Sequence, residues 1–184
     1  MNFQLNGKIG IWLNKLNGKT VDKIYQVDYN NDRYNDDYLP WIFLITFAEF
    51  DQYLKIEGDF DGSHLKINLR EKSLLKNELK ENNLPNELDL WQVYETKSDE
   101  KLGRLLGQRI EFVEFGADKD EFEINGTKIK GQKEFFNFIR FNCKNLNLTV
   151  FEGSLTGLGV SDDKNVKLNF EETFEIHNTN KNNC

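Results

Sequence analysis

Carboxylates are the side chains that cluster most densely in this chain, and they fall in two groups. Asp118, Asp120, Glu121 and Glu123 crowd beside Gly116, and Asp28, Asp32, Asp36 and Asp37 are interleaved with Tyr29, Tyr34 and Tyr38. Clustered acids can ligate a metal, exchange protons or present negative charge to a partner. Asp28, Asn30 and Asp32 imitate the opening of a calcium loop, but Arg33 stands where the loop needs glycine and Leu39 where it needs glutamate. No spacing in the other cluster, or at Asp59 and Asp61, aims several oxygens at one point, so no metal site is expected. His64 and His177 are an acid and a base in principle. Neither lies in a motif, since His64 follows a turn in an alternating run and His177 borders a polar tail. Ser154, Ser161 and Cys143 have no nucleophile elbow around them. The glycine-dense segment Gly153-Ser154-Leu155-Thr156-Gly157-Leu158-Gly159 runs into Val160-Ser161-Asp162-Asp163, where a phosphate loop would supply lysine and a helix. It reads as a turn or bulge between strands. No catalytic residue and no cofactor is expected, and the chain does not read as an enzyme.

The elements that would carry these residues form a repeated pattern. Ile45 and Phe47 precede Leu54 and Ile56 on alternate positions, and Ile139 and Phe141 precede Leu148 and Val150 in the same way, an offset of 94 from Ile45 to Ile139. Alternation marks half-buried strands. Each stretch has a matching lead-in, Leu16-Asn17-Gly18-Lys19-Thr20-Val21 and Leu105-Leu106-Gly107-Gln108-Arg109-Ile110. The fold expected is mainly β, with two pseudo-repeated antiparallel units, 1–97 and 98–184, in a single body. They would pack as a sandwich or as one twisted sheet, with one or two short helices; an α+β arrangement is the alternative. Strands are expected over 8–13, 20–27, 41–47, 53–57, 63–69, 88–95, 109–115, 121–125, 127–130, 134–143, 146–152, 158–160, 166–170 and 173–177. Phe135-Phe136 would equally suit the start of a short helix. Ser73 is placed to cap a helix carrying Leu74, Leu75 and Leu79, and Ser98-Asp99-Glu100 opens a second with Leu102, Leu105 and Leu106 on one face. The Asp61-Gly62 step marks a hairpin turn.

Composition sets limits on partners. The 184 residues include 15 Phe, 6 Tyr and 3 Trp, enough large apolar side chains for a packed core. A formal charge of −7, from 31 acidic against 24 basic side chains, disfavours binding to nucleic acid or to an anionic membrane. The electrostatically natural partner is a basic protein. Two cysteines do not make a disulfide framework, and Cys143, ending an apolar run, reads as a buried thiol. Residues 1–10 lack the apolar core of a signal peptide and no run is long enough to cross a membrane, so a cytoplasmic location is expected.

Leu106-Gly107-Gln108-Arg109-Ile110, Phe122-Glu123-Ile124-Asn125-Gly126 and Val166-Lys167-Leu168-Asn169-Phe170 resemble segments of the small bacterial immunity proteins encoded beside polymorphic toxins. The resemblance implies a cytosolic, non-enzymatic protein that binds and silences one toxin domain; the acidic charge makes a basic, nuclease-type domain the partner expected. It supplies no inhibitory motif, so the partner-binding residues come from the clusters themselves: Asp118, Asp120, Glu121 and Glu123, then Asp28, Asp32, Asp36 and Asp37 with Tyr29, Tyr34 and Tyr38 as aromatic anchors. Two alternatives stand beside it, a β protein holding an apolar small molecule among its many Phe side chains, and an enzyme built from scattered carboxylates and His64.

Overall fold

The computed structural model describes residues 4–29, 40–59, 64–82, 91–119, 121–131, 135–153, 157–166 and 174–182. Its strands are β1 (Val21–Tyr29), β2 (Ile42–Phe47), β3 (Gln52–Gly58), β4 (Leu65–Glu71), β5 (Trp91–Glu95), β6 (Ile110–Asp118), β7 (Glu121–Ile124), β8 (Thr127–Lys130), β9 (Phe136–Cys143), β10 (Leu146–Glu152), β11 (Leu158–Ser161) and β12 (Phe174–Asn178). Two α-helices join them, α1 (Gln4–Asn14) and α2 (Leu75–Glu81). The mainly β expectation therefore holds.

Ten strands form one antiparallel sheet that divides into two sets of five, β5-β1-β2-β3-β4 and β12-β6-β9-β10-β11. Numbered within each set, the two orders are the same: the first strand lies between the second and the last, and the others meander outward. The sets meet at two seams. At one, Leu65 of β4 pairs with Phe136 of β9, and beside it Leu158 N–H donates to the Pro40 carbonyl at 2.7 Å. At the opposite end Thr20 bridges Arg109. There Gly18 N–H donates to Ile110 O and Gly107 N–H to Val21 O, while Ile110 N–H donates to Lys19 O and Val21 N–H to Gln108 O. The two lead-ins thus exchange equivalent hydrogen bonds.

Between the sets lies one core. Alternate residues of β2, β3 and β4 (Phe43, Ile45, Leu54, Ile56, Leu65, Ile67) pack with alternate residues of β6, β9 and β10 (Val113, Phe115, Ile139, Phe141, Leu148, Val150), nearly all fully buried. This face-to-face arrangement is what period-two apolar patterning demands when each sheet has an apolar side. The opposite face of the first sheet carries a smaller cluster, Val27, Ile42, Leu44 and Tyr53, covered by Leu75 and Leu79 of α2. Every residue of β2 and of β9 is buried because both faces of each strand are covered.

Two sequence expectations change. Residues 8–13 are helical, not extended, because Ile9, Leu13 and Leu16 form a stripe that packs into the core while Ile11 and Trp12 point outward. The second expected helix shrinks to a 3-10 turn, Leu102–Leu105, whose Leu102 and Leu105 are buried. Of the two readings left open at Phe135-Phe136, the strand holds, opening at Phe136. The candidates at 88–90 and 167–170 lie outside the described residues. Cys143 is buried as expected, and burial pushes its thiol up to about 11. Among the described residues no helix is long and apolar enough to cross a membrane.

Candidate functional site

Both acidic clusters of the sequence fall on corresponding connections. One leads from β1 to β2 and the other from β6 to β9, and in each set these are the first and second strands. Both leave the sandwich at the end marked by the Leu65–Phe136 and Leu158–Pro40 contacts. A sandwich end that gathers connections from both sheets is a usual place for a binding surface, because a rigid scaffold holds segments free to vary.

The β6–β9 connection rises from the body as a separate two-stranded ribbon, β7 and β8, paired only with each other. Asn125 and Gly126 at its tip both have positive φ, 51° and 78°, the pair of left-handed conformations required by the tight turn that matches strand twist. Its base is pinched: a Cβ on Gly131 would lie 1.6 Å from the Lys119 carbonyl oxygen, so only glycine fits there. The pairing Glu121↔Lys130 and Glu123↔Lys128 sets each acid opposite a base, and Lys128 Nζ lies 3.6 Å from Glu121 Oε2. Glu121 and Glu123 are exposed, as a contact residue must be, but the ribbon face they share is charge-balanced.

Asp118 does not belong to an exposed face. It is 8% exposed and its Oδ2 lies 3.2 Å from His64 Nε2. His64 in turn stacks on Phe135, with ring centroids 4.3 Å apart. The carboxylate turns inward because the last residue of β6 and His64, which immediately precedes β4, meet at the seam, where the imidazole lies across the joint from it. Of the acids assigned from the sequence to the partner-binding face, Asp118 is therefore buried. Asp120 lies outside the described residues.

Asp28 lies near the end of β1 on the strand face that also carries Ile24 and Gln26. Its Oδ1 is buried and has no hydrogen-bond partner among the described residues. Burial, reinforced by the nearby Glu100 carboxylate, pushes its carboxyl up to about 6. Glu100 is held by Gln26 Nε2 at 3.2 Å and by the Lys97 N–H at 3.2 Å. Tyr29 ends β1 opposite Trp91. Asp32, Tyr34, Asp36, Asp37 and Tyr38 lie outside the described residues.

The two histidines do not form an acid–base pair. His64 faces Asp118, whereas His177 stacks on Phe115 and has Glu175 Oε2 at 3.9 Å, with burial holding its imidazole below the usual range. Among the described residues no group of three or more His, Cys, Asp or Glu side chains is arranged to hold a metal ion.

Sequence reasoning missed a charged cluster on the outer face of the first sheet. Glu78 of α2 accepts hydrogen bonds from Tyr53 Oη at 2.9 Å and Arg70 Nη1 at 2.5 Å, and Lys55 Nζ lies 2.9 Å from its other oxygen. Burial pushes the Glu78 carboxyl up, but the hydrogen bonds from Lys55 and Tyr53 and the two cationic charges outweigh it, so the group is held below the ordinary carboxylate range. Burial and the bond to Glu78 push the Tyr53 phenol well up. The alternation Tyr53-Lys55-Glu57 was a visible signal that this strand face is polar; its partner on a helix more than twenty residues later was not. No family model, curated protein or solved structure matches this chain.

Proposed function

We propose that the chain is a non-enzymatic binding protein of the immunity type, which uses the connection-bearing end of the sandwich to occupy a basic protein partner, most concretely a nuclease-type toxin domain. The observation that carries this reading is the joint exit of the β1–β2 and β6–β9 connections at one end. That end combines a pre-formed ribbon, with Glu121, Glu123 and 125–130 exposed, with the segment 28–38, whose four aspartates and one arginine give it a sequence charge of −3. The ribbon supplies shape and a charge-balanced contact; the negative potential falls to Asp28, Asp32, Asp36 and Asp37, beside Tyr29, Tyr34 and Tyr38. A nuclease surface must be positive to hold phosphates, so a negative protein surface of fitting shape competes for it and associates fast.

The Phe side chains that favoured an apolar-ligand protein have another use. Phe43, Phe47, Phe115, Phe138 and Phe141 are among the largest fully buried side chains and fill the protein's interior.

Co-expression with whatever toxin-like domain the neighbouring gene encodes tests the proposal. Expected are rescue of growth, a stable complex on a sizing column, and loss of both on reversing Asp32, Asp36 and Asp37 to Lys. Reversing Glu121 and Glu123 should weaken binding less, since each acid already faces a lysine. Absence of rescue and of complex would overturn the function, and rescue indifferent to the triple reversal would overturn the site.

A further inference from the structure

At the end of the sandwich away from the connections, the second half carries a cleft of about 330 Å³. Arg104 comes to it from the 3-10 turn before β6, Lys144 and Asn145 from the tight β9–β10 turn, Asn147 from β10 and Lys164 from the segment after β11. Leu146, 8% exposed, is its apolar floor. Asp162 is the lone acid of the lining, so three cations against one anion leave +2 there, in a chain whose net charge is −7.

These groups are held in place. Arg104 Nη1 donates to Asp162 Oδ2 at 2.6 Å, and that bond, with the nearby Lys101 charge, keeps the Asp162 carboxyl below its ordinary range. The buried Arg140 donates to the carbonyls of Lys164 and Asp163, each at 2.8 Å, and to Thr149 Oγ1 at 2.6 Å. A guanidinium beneath the sheet surface thereby fixes the backbone that presents Lys164. The scaffold does not require this charge: the β2–β3 turn, which occupies the matching place in the first half, carries Glu49 and Asp51 instead.

We infer that this cleft binds a small phosphorylated polyhydroxyl compound, such as a sugar phosphate. Lys144, Lys164 and the unused N–H groups of Arg104 face the phosphate oxygens, where charge-assisted hydrogen bonds are strongest. Asn145 and Asn147 offer amides to hydroxyl groups. The volume lies at the lower end of the small-ligand range. No aromatic side chain is among the lining residues, so a nucleobase would have nothing to stack on.

The test is a titration of the isotope-labelled full chain, followed by NMR, with ribose 5-phosphate, inorganic phosphate, ribose and a single-stranded oligonucleotide. Ribose 5-phosphate should shift the amides of 144–147 and 162–164 with sub-millimolar affinity, inorganic phosphate should bind about tenfold more weakly, and ribose should leave them unmoved. Lys144→Glu with Lys164→Glu should weaken ribose 5-phosphate by at least about tenfold, whereas Asp162→Asn, which frees Arg104, should tighten it about threefold. The opposite signs separate loss of the site from loss of the fold. No shifts at those amides, equal affinity for inorganic phosphate, tighter binding of the oligonucleotide, or indifference to the double reversal would each overturn the inference.

Discussion

Gly18 and Gly107 hold the same station in the two halves: each has a positive φ, 77° and 72°, and each donates its N–H across the seam, to Ile110 O at 2.7 Å and to Val21 O at 2.9 Å. An L side chain at either position strains the backbone. A methyl at 107 meets nothing within 4 Å, whereas at 18 it meets Arg109 Nη2 at 3.4 Å. That distance is ordinary contact with the end of a flexible side chain, so Gly107→Ala and Gly18→Ala should each cost about 1–2 kcal/mol from the backbone, as read by urea unfolding.

Phe141, fully buried, faces Leu148 across β9–β10 and Val113 across β6–β9. Truncating it to Ala should remove about 3–5 kcal/mol of stability. Ile45, which faces Leu54 across β2–β3 and Ile24 across β1–β2, should lose about 2–5 kcal/mol on the same change. A midpoint shift below 1 kcal/mol in either would show that the two inner faces do not share a packed core.

Asp28 titrates near 6 in the folded protein, above its ordinary value of 3.8, so the folded state holds its proton more tightly than the unfolded state does. Stability from this group is present below about pH 4 and is lost as pH rises through 6. Asp28→Asn should raise stability by about 1–3 kcal/mol at pH 7.5 and change it little at pH 4. Denaturant melts at the two pH values decide it, and equal effects at both would contradict the burial of that carboxyl.

Glu78 behaves in the opposite sense. Its folded-state affinity for protons is depressed, so its contribution is complete above the ordinary value of 4.5 and disappears as pH falls through its lower folded value. Glu78→Gln leaves Lys55 and Arg70 without their shared anion. It should cost about 2–4 kcal/mol at pH 7 and flatten the acid limb of the stability curve.

Arg140→Met removes the donors that hold the Asp163 and Lys164 carbonyls. A loss of about 2–3 kcal/mol is expected. Hydrogen exchange should accelerate first over 161–166 and in β11, while β2 and β3 keep their protection.

Much of the fold was legible because it rests on short-range rules. The lead-ins matched residue for residue, since a positive-φ station restricts the sequence strongly to glycine. The strand matching slipped by two on one strand. A constant offset of 94 equates Ile45 with Ile139, yet Ile45 pairs with Leu54 whereas Val150 pairs with Ile139 and Leu148 with Phe141. Four residues, Ala48–Asp51, separate β2 from β3, but only Lys144 and Asn145 separate β9 from β10. Alternation cannot detect the difference, because a slip of two keeps every side chain on its face. Helix α1 was misread because Ile9, Ile11 and Leu13 alternate while Ile9, Leu13 and Leu16 also follow the helical period, and only burial decides between them. Asp118 looked like surface because the imidazole that faces it, His64, lies far away in sequence, just before β4 of the other sheet.

The division of pairing between the halves has a consequence for biosynthesis. Among the described residues, apart from the Leu65–Phe136 pair and the Thr20–Arg109 bridge at the two seams, the interstrand partners of the first sheet lie within residues 21–95 and those of the second within 110–178. The amino-terminal sheet can be complete while its counterpart is still being translated. Its inner face, with Phe43, Ile45, Leu54, Ile56 and Ile67, then has no lid for on the order of ten seconds, at about 5–20 residues per second. A nascent chain halted near residue 100 is thus a half-sandwich with a bare apolar face, and holdase chaperones should engage it more strongly there than at any later length.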